Sequence, residues 1–447
     1  MKSPRRSSKP QLPRKPALAQ PPQLVEVEKP IYGGAFLARH EGKAVFVPLA
    51  LPGEQARIRI VDDKKGYATA EVEAIVRSAP ERIEARCAHF GICGGCNYQH
   101  VSYETQLQFK QAILRETLER GGVRAPEEIT VLAGEPWGYR NRIRLAFDAQ
   151  GSVGYRGRRS HAIVPIHECP IAAPLLVDAG LKFAQVAREF AQSIHLTEVS
   201  LSCNGDESAL IIGASSARES KHGFEEFGRA LKVQLPVLAG MEIVIQGREG
   251  HPQRTLAQWG ESAIAYHAAG FEYRVDHGAF FQVNRCLVDE LVNLVTHGRS
   301  GTLAWDLYAG VGLFSRKLAD GFERVVAVES ATGATAALEH NLEGMNATAV
   351  NATTLAFLQR SNQGSRPDLI VVDPPRTGLG AEITSLLANV GAPEMVYVSC
   401  DPATLARDLR TLIEYGYEIE SVTLADLFPQ TFHLETVVHL LRPGATA

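Results

Sequence analysis

A thiol and two carboxylates stand in the C-terminal part of this chain in settings that favour chemistry over packing. Asp373 closes the apolar run of LIVVDPPRTGLG, Cys400 closes that of MVYVSCDPATLARD, and Glu435 opens ETVVHLL just after the polar cluster Gln430, Thr431 and His433. Residues at the ends of apolar strands in an α/β region face the edge where open sheets take their ligands. The two prolines after Asp373 make a rigid turn that fixes its carboxylate. One chemistry such a set could serve is covalent methylation of a pyrimidine carbon. Carbon five of uracil is too weak a nucleophile to take a methyl group unaided, and covalent catalysis removes that obstacle: a thiolate adds to carbon six, the resulting enolate attacks a methyl sulfonium through carbon five, and a base takes the carbon-five proton so that the thiol can leave. Cys400 fits the nucleophile, Glu435 the base and Asp373 the carboxylate that holds the ring edge. Cys203 and Cys286 lack such a setting, and for them the ordinary fate of a buried, inert cysteine is expected.

A nucleotide site is written further upstream. In AWDLYAGVGLFS, Gly310 and Gly312 follow an apolar strand directly, where the backbone can turn tightly against a cofactor, and Glu329 ends the next strand, placed to accept both ribose hydroxyls. A dinucleotide fingerprint would want a third glycine where Ser315 stands, so S-adenosylmethionine is expected rather than NAD. Enzymes that methylate exocyclic amines follow an Asp-Pro-Pro turn with an aromatic residue that stacks the base. Here Arg376 occupies that place, and a ring carbon is the expected target.

These residues need a scaffold. From about Thr302 strands and helices alternate, which implies an α/β domain of Rossmann-like type with a mostly parallel, doubly wound sheet. The last two strands leave no room for a helix between them and are expected to form an antiparallel pair at one side of that sheet. From about Gln23 to Val76 the alternation of QARIRIVD and the turn signals Pro52-Gly53 and Lys65-Gly66 imply a small OB-type β-barrel. Between them a helix is expected over YETQLQFKQAILRETLERGG, then a strand-rich α+β region. There Arg140, Arg142 and Arg144 share one strand face and Ile143, Leu145 and Phe147 the other, a basic face suited to RNA phosphates. The expected division is a basic disordered arm over residues 1–21, the barrel over 22–79, a central RNA-binding domain over 80–275 and the catalytic domain over 276–447.

Composition narrows the class. At 447 residues two or three domains are expected, and a net charge of −4 argues against a protein that coats nucleic acid without preference, while allowing a local basic groove. No apolar run reaches the roughly 18 residues of a membrane span and no signal-type stretch opens the chain, so a soluble, cytoplasmic protein is expected. The first twenty residues are basic and acid-free, which suits either an arm that touches RNA phosphates or a solvated tail. The seven cysteines read as reduced thiols. Cys87, Cys93 and Cys96 with the distant Cys169 supply four thiolates, enough for a tetrahedral zinc or an iron–sulfur cluster, and spacing alone leaves both open.

Taken together, DLYAGVG, DPPRTGLG, SCDPATLARD and FPQTFHLETV resemble the motifs of the RNA uracil-5-methyltransferase family, and FFQVN and YRNRIRL resemble its cofactor-contacting segment and central-domain strand. The resemblance covers the chain from about Leu24 to the end. It implies Cys400 as nucleophile, Glu435 as base, and Gln282, Tyr308, Glu329 and Asp373 around the cofactor, beside the glycine turn at Gly310. The family commonly has Asn where this chain has Asp401, and often Cys where it has Ala309; Asp401 is expected to raise the pKa of the neighbouring thiol. Ribosomal-RNA members resemble this chain in joining a TRAM barrel to four cysteines that bind a [4Fe-4S] cluster, which implies such a structural cluster on Cys87, Cys93, Cys96 and Cys169. The implied substrate is a uridine of 23S ribosomal RNA, free or in a ribosome-assembly intermediate, its base flipped into the catalytic domain; on oligomeric state the sequence is silent, and a monomer is assumed. Transfer RNA is the alternative substrate. A non-catalytic assembly factor and a small-molecule methyltransferase are the competing classes, the first opposed by the intact Cys400 and Glu435, the second by a barrel and a basic strand face it would not use.

Overall fold

The computed structural model describes residues 21–147, 152–190, 195–219, 222–245, 254–361 and 366–444. All but one residue of the expected arm over 1–21 lie outside that set. The described residues form two compact units, one over residues 21–31 and 35–80, the other over 32–34 and from 81 onward.

The smaller unit is a closed barrel of five strands, β1 (Gln23–Ile31), β2 (Ala35–His40), β3 (Lys43–Pro48), β4 (Gln55–Asp63) and β5 (Tyr67–Arg77), in the order β1-β2-β3-β5-β4. Closure leaves no edge strand. The period-two pattern is realised as expected: Ala56 and Ile58 face in with Val25, Phe36, Val45 and Val47, while Arg57 and Arg59 face out. Glu54 is the one buried acid of this core, and its carboxylate is satisfied by the amides of Leu51 (2.8 Å) and Ala79 (3.2 Å).

The larger unit begins with helix α1 (Tyr103–Arg120), which starts where Ser102 Oγ accepts from the Thr105 amide, followed by the short strand β6 (Thr130–Leu132). Next come β7 (Arg142–Phe147), β8 (Val153–Arg156), β9 (Ile163–Pro165), α2 (Pro174–Glu189), β10 (Leu196–Cys203), β11 (Leu210–Ser216), α3 (Phe224–Gln234), β12 (Leu238–Ile245) and β13 (Arg254–Gly260). These strands form one sheet in the order β13-β12-β11-β10-β7-β8-β9, with α2 and α3 packed on it through Phe183, Phe224 and Phe227. A hairpin of β14 (Ala263–Ala268) and β15 (Phe271–Asp276) leads on to the catalytic region.

That region comprises α4 (Val288–Thr296), β16 (Gly301–Leu307), α5 (Leu313–Leu318), β17 (Phe322–Glu329), α6 (Thr332–Asn341), β18 (Ala347–Asn351), α7 (Thr354–Ser361), β19 (Leu369–Val372), α8 (Gly380–Val390), β20 (Glu394–Ser399), α9 (Pro402–Glu414), β21 (Glu418–Ala425) and β22 (Glu435–Leu441). Its eight-stranded sheet runs β18-β17-β16-β19-β20-β22-β21-β6. Strands β16 to β20 are parallel, and β22 inserts antiparallel between β20 and β21. Both faces are covered, which is why β19 reads as an unbroken apolar LIVV with every residue buried. One face packs Trp305, Ile370 and Tyr397 against helical residues including Leu405 and Leu409, the other packs Ala304, Val371 and Val396 against residues including Leu291 and Phe314.

The expected domain boundary at residue 276 misses part of this sheet. β6 pairs in parallel with β21 (Thr130 with Thr423), and α1 buries Ile113, Leu114 and Leu118 in the same core as Leu405 and Leu409. Each fully buried leucine there contributes about 1.5–3 kcal/mol. The eight-stranded sheet is therefore discontinuous in sequence, with the seven-stranded sheet lying between β6 and β16 along the chain. Among the described residues, no helix is long and apolar enough to cross a membrane.

Candidate active site

The register of β22 assembles the site. Ser399 at the end of β20 pairs with Thr436, so the next residue on one strand, Cys400, comes to stand opposite the preceding residue on the other, Glu435. Two residues 35 apart in sequence are thus brought to one edge by an antiparallel insertion in a parallel sheet. Asp373 leaves the neighbouring β19, its amide bonded to the Leu307 carbonyl of β16 (3.3 Å). The three groups sense one another: burial first, then the carboxylates of Glu435 and Asp373, push the Cys400 thiol up to about 12. Glu435 is raised well above the usual carboxylate range by burial and then by Asp373. Asp373 is raised to about 7 by burial and then by Asp306. Arg376 works against these shifts, favouring both the Cys400 thiolate and the ionised Glu435, and it also lies 3.3 Å from His433 Nδ1.

Arg376 is a residue the sequence reading used only to exclude an aromatic. Its signal was a cation on a rigid Pro-Pro turn beside an acid. Helix α9 holds that turn in place: Thr404 Oγ1 donates to the Arg376 carbonyl (3.2 Å), Arg407 to the Thr377 carbonyl (2.9 Å), and the buried Asp408 accepts from the Leu379 amide (2.8 Å) and the Tyr397 hydroxyl (2.9 Å). Asp401 has a different part from the one expected. Its Oδ1 accepts from the Ala403 and Thr404 amides, both at 3.0 Å, capping α9 ahead of Pro402, and the carboxylates that raise the thiol most are Glu435 and Asp373. Tyr32, in the segment 32–34, donates to the Cys400 carbonyl (3.4 Å) and meets Phe432 edge-on.

The glycine turn lies at the same edge. Tyr308 takes a left-handed backbone (φ 67°), a sparsely populated conformation for a non-glycine residue and one often found at functional sites. At Gly312 (φ 91°) a Cβ would lie 2.8 Å from Leu338, so glycine is required there by both conformation and packing. Above Gly310 no atom lies within 4 Å of where a Cβ would be, which leaves the backbone open to a ligand. Glu329 ends β17 with one oxygen on the Gly310 amide (3.0 Å) and the other on those of Ser330 and Ala331 (2.7 Å each). Gln282 is buried, and its carbonyl accepts from Asn141 Nδ2 at 2.8 Å. Nearby in sequence, Phe280 is 59 % exposed, an aromatic the sequence reading passed over.

Asp306 was also passed over. Its carboxyl is buried and raised to about 6 by burial; one oxygen accepts from Ser315, and the other is an orphaned acceptor among the described residues. An unsatisfied buried carboxylate oxygen beside a glycine turn suits a cationic or N–H-bearing ligand. The donor set at this edge therefore fits an aminoacyl nucleoside carrying positive charge.

The four cysteines converge. Cys87, Cys93, Cys96 and Cys169 are free and half-buried, and all border one cavity of about 380 Å³ together with Arg140, Arg142, Arg144 and His433. Burial raises the thiols of Cys87 and Cys93 and pushes that of Cys96 up to about 12, with Cys169 adding to the rise in each case. Thiols that oppose one another's ionisation in this way need cationic charge to become thiolates. The Gly95 amide points at Cys93 Sγ (3.4 Å) and the Tyr155 hydroxyl at Cys169 Sγ (3.6 Å), the hydrogen bonding that tunes sulfur ligands. Four thiols, two such donors and three arginines fit an anionic iron–sulfur group. Among the described residues, no set of three or more His, Cys, Asp or Glu side chains is grouped so that it could hold a metal ion.

The arginines do not form the exposed stripe the alternation implied. Strand β7 starts at Arg142, leaving Arg140 in isolated bridges to Ala172 and Asn284, with its guanidinium over the Phe428 ring. Arg142 is spent on Ser202 Oγ (2.9 Å) and the Ala279 carbonyl (2.6 Å). Arg144 alone is well exposed, and it pairs with Glu198 at 3.3 Å.

A mostly parallel sheet with a glycine turn, an acidic strand end and a thiol beside two acids defines a methyltransferase fold. A solved structure of Pyrococcus abyssi tRNA (uracil-54, C5)-methyltransferase with S-adenosyl-L-homocysteine shares that fold, with a TM-score of 0.75 at 24% identity over 94% of this chain and all of that one. Residues 22–72 match the TRAM domain, and residues 363–443 match the family described as tRNA (Uracil-5-)-methyltransferase. The Klebsiella pneumoniae 23S rRNA (uracil(1939)-C(5))-methyltransferase RlmD is 32% identical over 422 residues, 91% of this chain and 92% of its own. An uncharacterized RNA methyltransferase of Streptomyces avermitilis is 32% identical over 444 residues, 94% of this chain and 98% of its own. The chain belongs to the RNA uracil-5-methyltransferase family and is an enzyme of that class.

Proposed function

We propose that the protein transfers a methyl group from S-adenosylmethionine to carbon five of a uridine in 23S ribosomal RNA, through a covalent bond between Cys400 and carbon six. The observation that carries the reading is the β20–β22 register, which sets Cys400 opposite Glu435 with Asp373 and Arg376 beside them. The 23S target is supported by the Klebsiella relative over nine-tenths of the chain.

The chain's residues divide the work. Arg376 opposes the carboxylates and favours the Cys400 thiolate, whose sulfur forms a bond to carbon six while the ring electrons move onto the carbon-four oxygen. When bound, S-adenosylmethionine supplies an electrophilic methyl group to carbon five. The Glu435 carboxylate then takes the carbon-five proton, and the electron pair left behind restores the ring double bond as the sulfur departs. Gln282, Tyr308, Gly310, Glu329 and Asp373 would hold the methyl donor, with Asp306 offering its free oxygen. Cys87, Cys93, Cys96 and Cys169 would hold a [4Fe-4S] cluster, its charge balanced by Arg140 and Arg142, and Arg144 would contribute to RNA contact.

The test uses labelled S-adenosylmethionine and ribosomal and transfer RNA lacking the modification, with wild type, Cys400→Ala and Glu435→Gln side by side. Wild type is expected to label one or more 23S uridines at carbon five, and Cys400→Ala to label nothing. Glu435→Gln is expected to accumulate a covalent RNA–protein species on a denaturing gel, with product release slowed about 10²- to 10⁴-fold. Labelling of transfer RNA alone would replace the substrate, and transfer that survives Cys400→Ala would end the covalent mechanism.

A further inference from the structure

Gln430 is a buried residue in a left-handed backbone (φ 67°), a conformation that favours glycine. It lies in the loop 426–434 that delivers Glu435 into β22. What holds it comes from far upstream. Gln106 of α1 makes a reciprocal pair with it, Nε2 donating to Gln430 Oε1 (3.0 Å) and Oε1 accepting from the Gln430 amide (2.9 Å), and a further bond from Gln106 to the Val101 carbonyl (3.2 Å) fixes the Gln106 amide. The Gln430 carbonyl accepts from the amides of Asn97 (2.8 Å) and Tyr98 (3.1 Å), and Asn97 Oδ1 accepts from the Phe432 amide (3.4 Å). Backbone N–H, backbone carbonyl and side-chain carbonyl of this one residue are thus all bonded to residues 97–106. Beyond it, Phe432 packs on His433 (ring centroids 4.3 Å apart), and His433 lies against Arg376.

We infer that Gln106 and Asn97 are positioning residues for methyl transfer: they hold Gln430 in its left-handed turn and so set how residues 431–434 enter β22 and where Glu435 stands. The inference rests on the reading of Glu435 as base. Its sign is definite. Loss of a clamp on the base loop lowers kcat at nearly unchanged KM, whereas loss of a contact that only holds RNA raises KM at unchanged kcat, and loss of one that only braces the fold shows as lost active protein.

The test is made on the full-length protein. Gln106→Leu removes both side-chain bonds to Gln430, and the one to the Val101 carbonyl, at nearly constant volume. It is expected to lower kcat at least tenfold, with KM for RNA and for S-adenosylmethionine within about threefold of wild type. Hydrogen exchange at amides 428–434 is expected to rise, with the central sheet β7–β13 unchanged. Adding Gln430→Gly is expected to restore kcat at least threefold over Gln106→Leu, because glycine takes the left-handed turn without the clamp. If Gln106→Leu does not fold, Asn97→Ala, which deletes one bond at a half-buried edge, carries the same expectation at smaller size. A rise in KM for RNA at unchanged kcat would overturn the inference, as would a loss of kcat with no change in exchange at 428–434 or a further loss on adding Gln430→Gly. Absence of uridine methylation by wild type would instead refute the functional reading, and the exchange measurement would still decide whether the clamp exists.

Discussion

Arg376→Gln isolates the electrostatics of the site. The Cys400 thiol stands at about 12, so at about pH 8 on the order of one thiol in 10⁴ is ionised before substrate arrives. The reactive species is the thiolate, and since its pKa is raised, the active fraction grows about tenfold per pH unit through the neutral and mildly alkaline range. Arg376 is the cation opposing Glu435 and Asp373 at the sulfur, and an opposite charge at such range is worth roughly one pKa unit or more. Its removal should slow the reaction about tenfold at any fixed pH in that range. The same change raises the Glu435 carboxyl further, since Arg376 lowers it now, and a more protonated base acts in the same direction. The assay is single-turnover methyl transfer at saturating RNA and S-adenosylmethionine from about pH 6.5 to 9. Wild type should rise with at least unit slope and no plateau, and the variant should run below it by tenfold or more, regaining the wild-type rate when the pH is one unit or more higher. A wild-type plateau in this range, or a variant deficit that more alkaline pH does not repair, would refute the reasoning.

Two further outcomes follow from buried polar groups. Asp408→Ala leaves the Leu379 amide and the Tyr397 hydroxyl without their acceptor, which should cost about 1–3 kcal/mol for each in urea unfolding and loosen the turn that carries Arg376, lowering methyl transfer as well as stability. Lys110 and Asp426 form an ion pair (2.6 Å) at 0% and 1% exposure, so Lys110→Met alone should destabilise by about 3–5 kcal/mol, while Lys110→Met with Asp426→Leu should recover most of the loss in the same unfolding experiment.

What the sequence made legible is what local pattern encodes. Alternation in QARIRIVD gives the barrel strand, the apolar runs before Gly310, Asp373 and Cys400 give parallel strands whose ends share an edge, and the short gap before ETVVHLL gives the antiparallel pair. Strand alternation also put Arg142 and Arg144 on one face. It could not say that Ser202 and Ala279 would occupy Arg142, because those partners come from other strands and loops. The capping role of Asp401 was missed for want of one local cue, since an acid directly before a proline at a helix start is a cap signal. Gln106 and Gln430 are 324 residues apart, and nothing in either segment announces the other. A buried glutamine and lysine on the same helix stripe as Ile113 and Leu114 were the only trace, readable in retrospect as a polar patch awaiting a polar loop.

The seating of β6 beside β21 bears on how the chain comes off the ribosome. Leu132 is made 293 residues before its partner Ala425, an interval of about 15–60 s at ordinary elongation rates. Throughout it the apolar stripe of α1, with Lys110 on it, waits for core partners and an acid that are synthesised some two hundred residues or more later. The three-residue length of β6 keeps this delay safe, since so short an edge is a poor template for a stray strand. It also means that the catalytic half cannot be excised by cutting at residue 276. The C-terminal fragment would expose the flank of β21 and lack Ile113, Leu114 and Leu118 from its core, so the two halves are one cooperative unit written in an interrupted order.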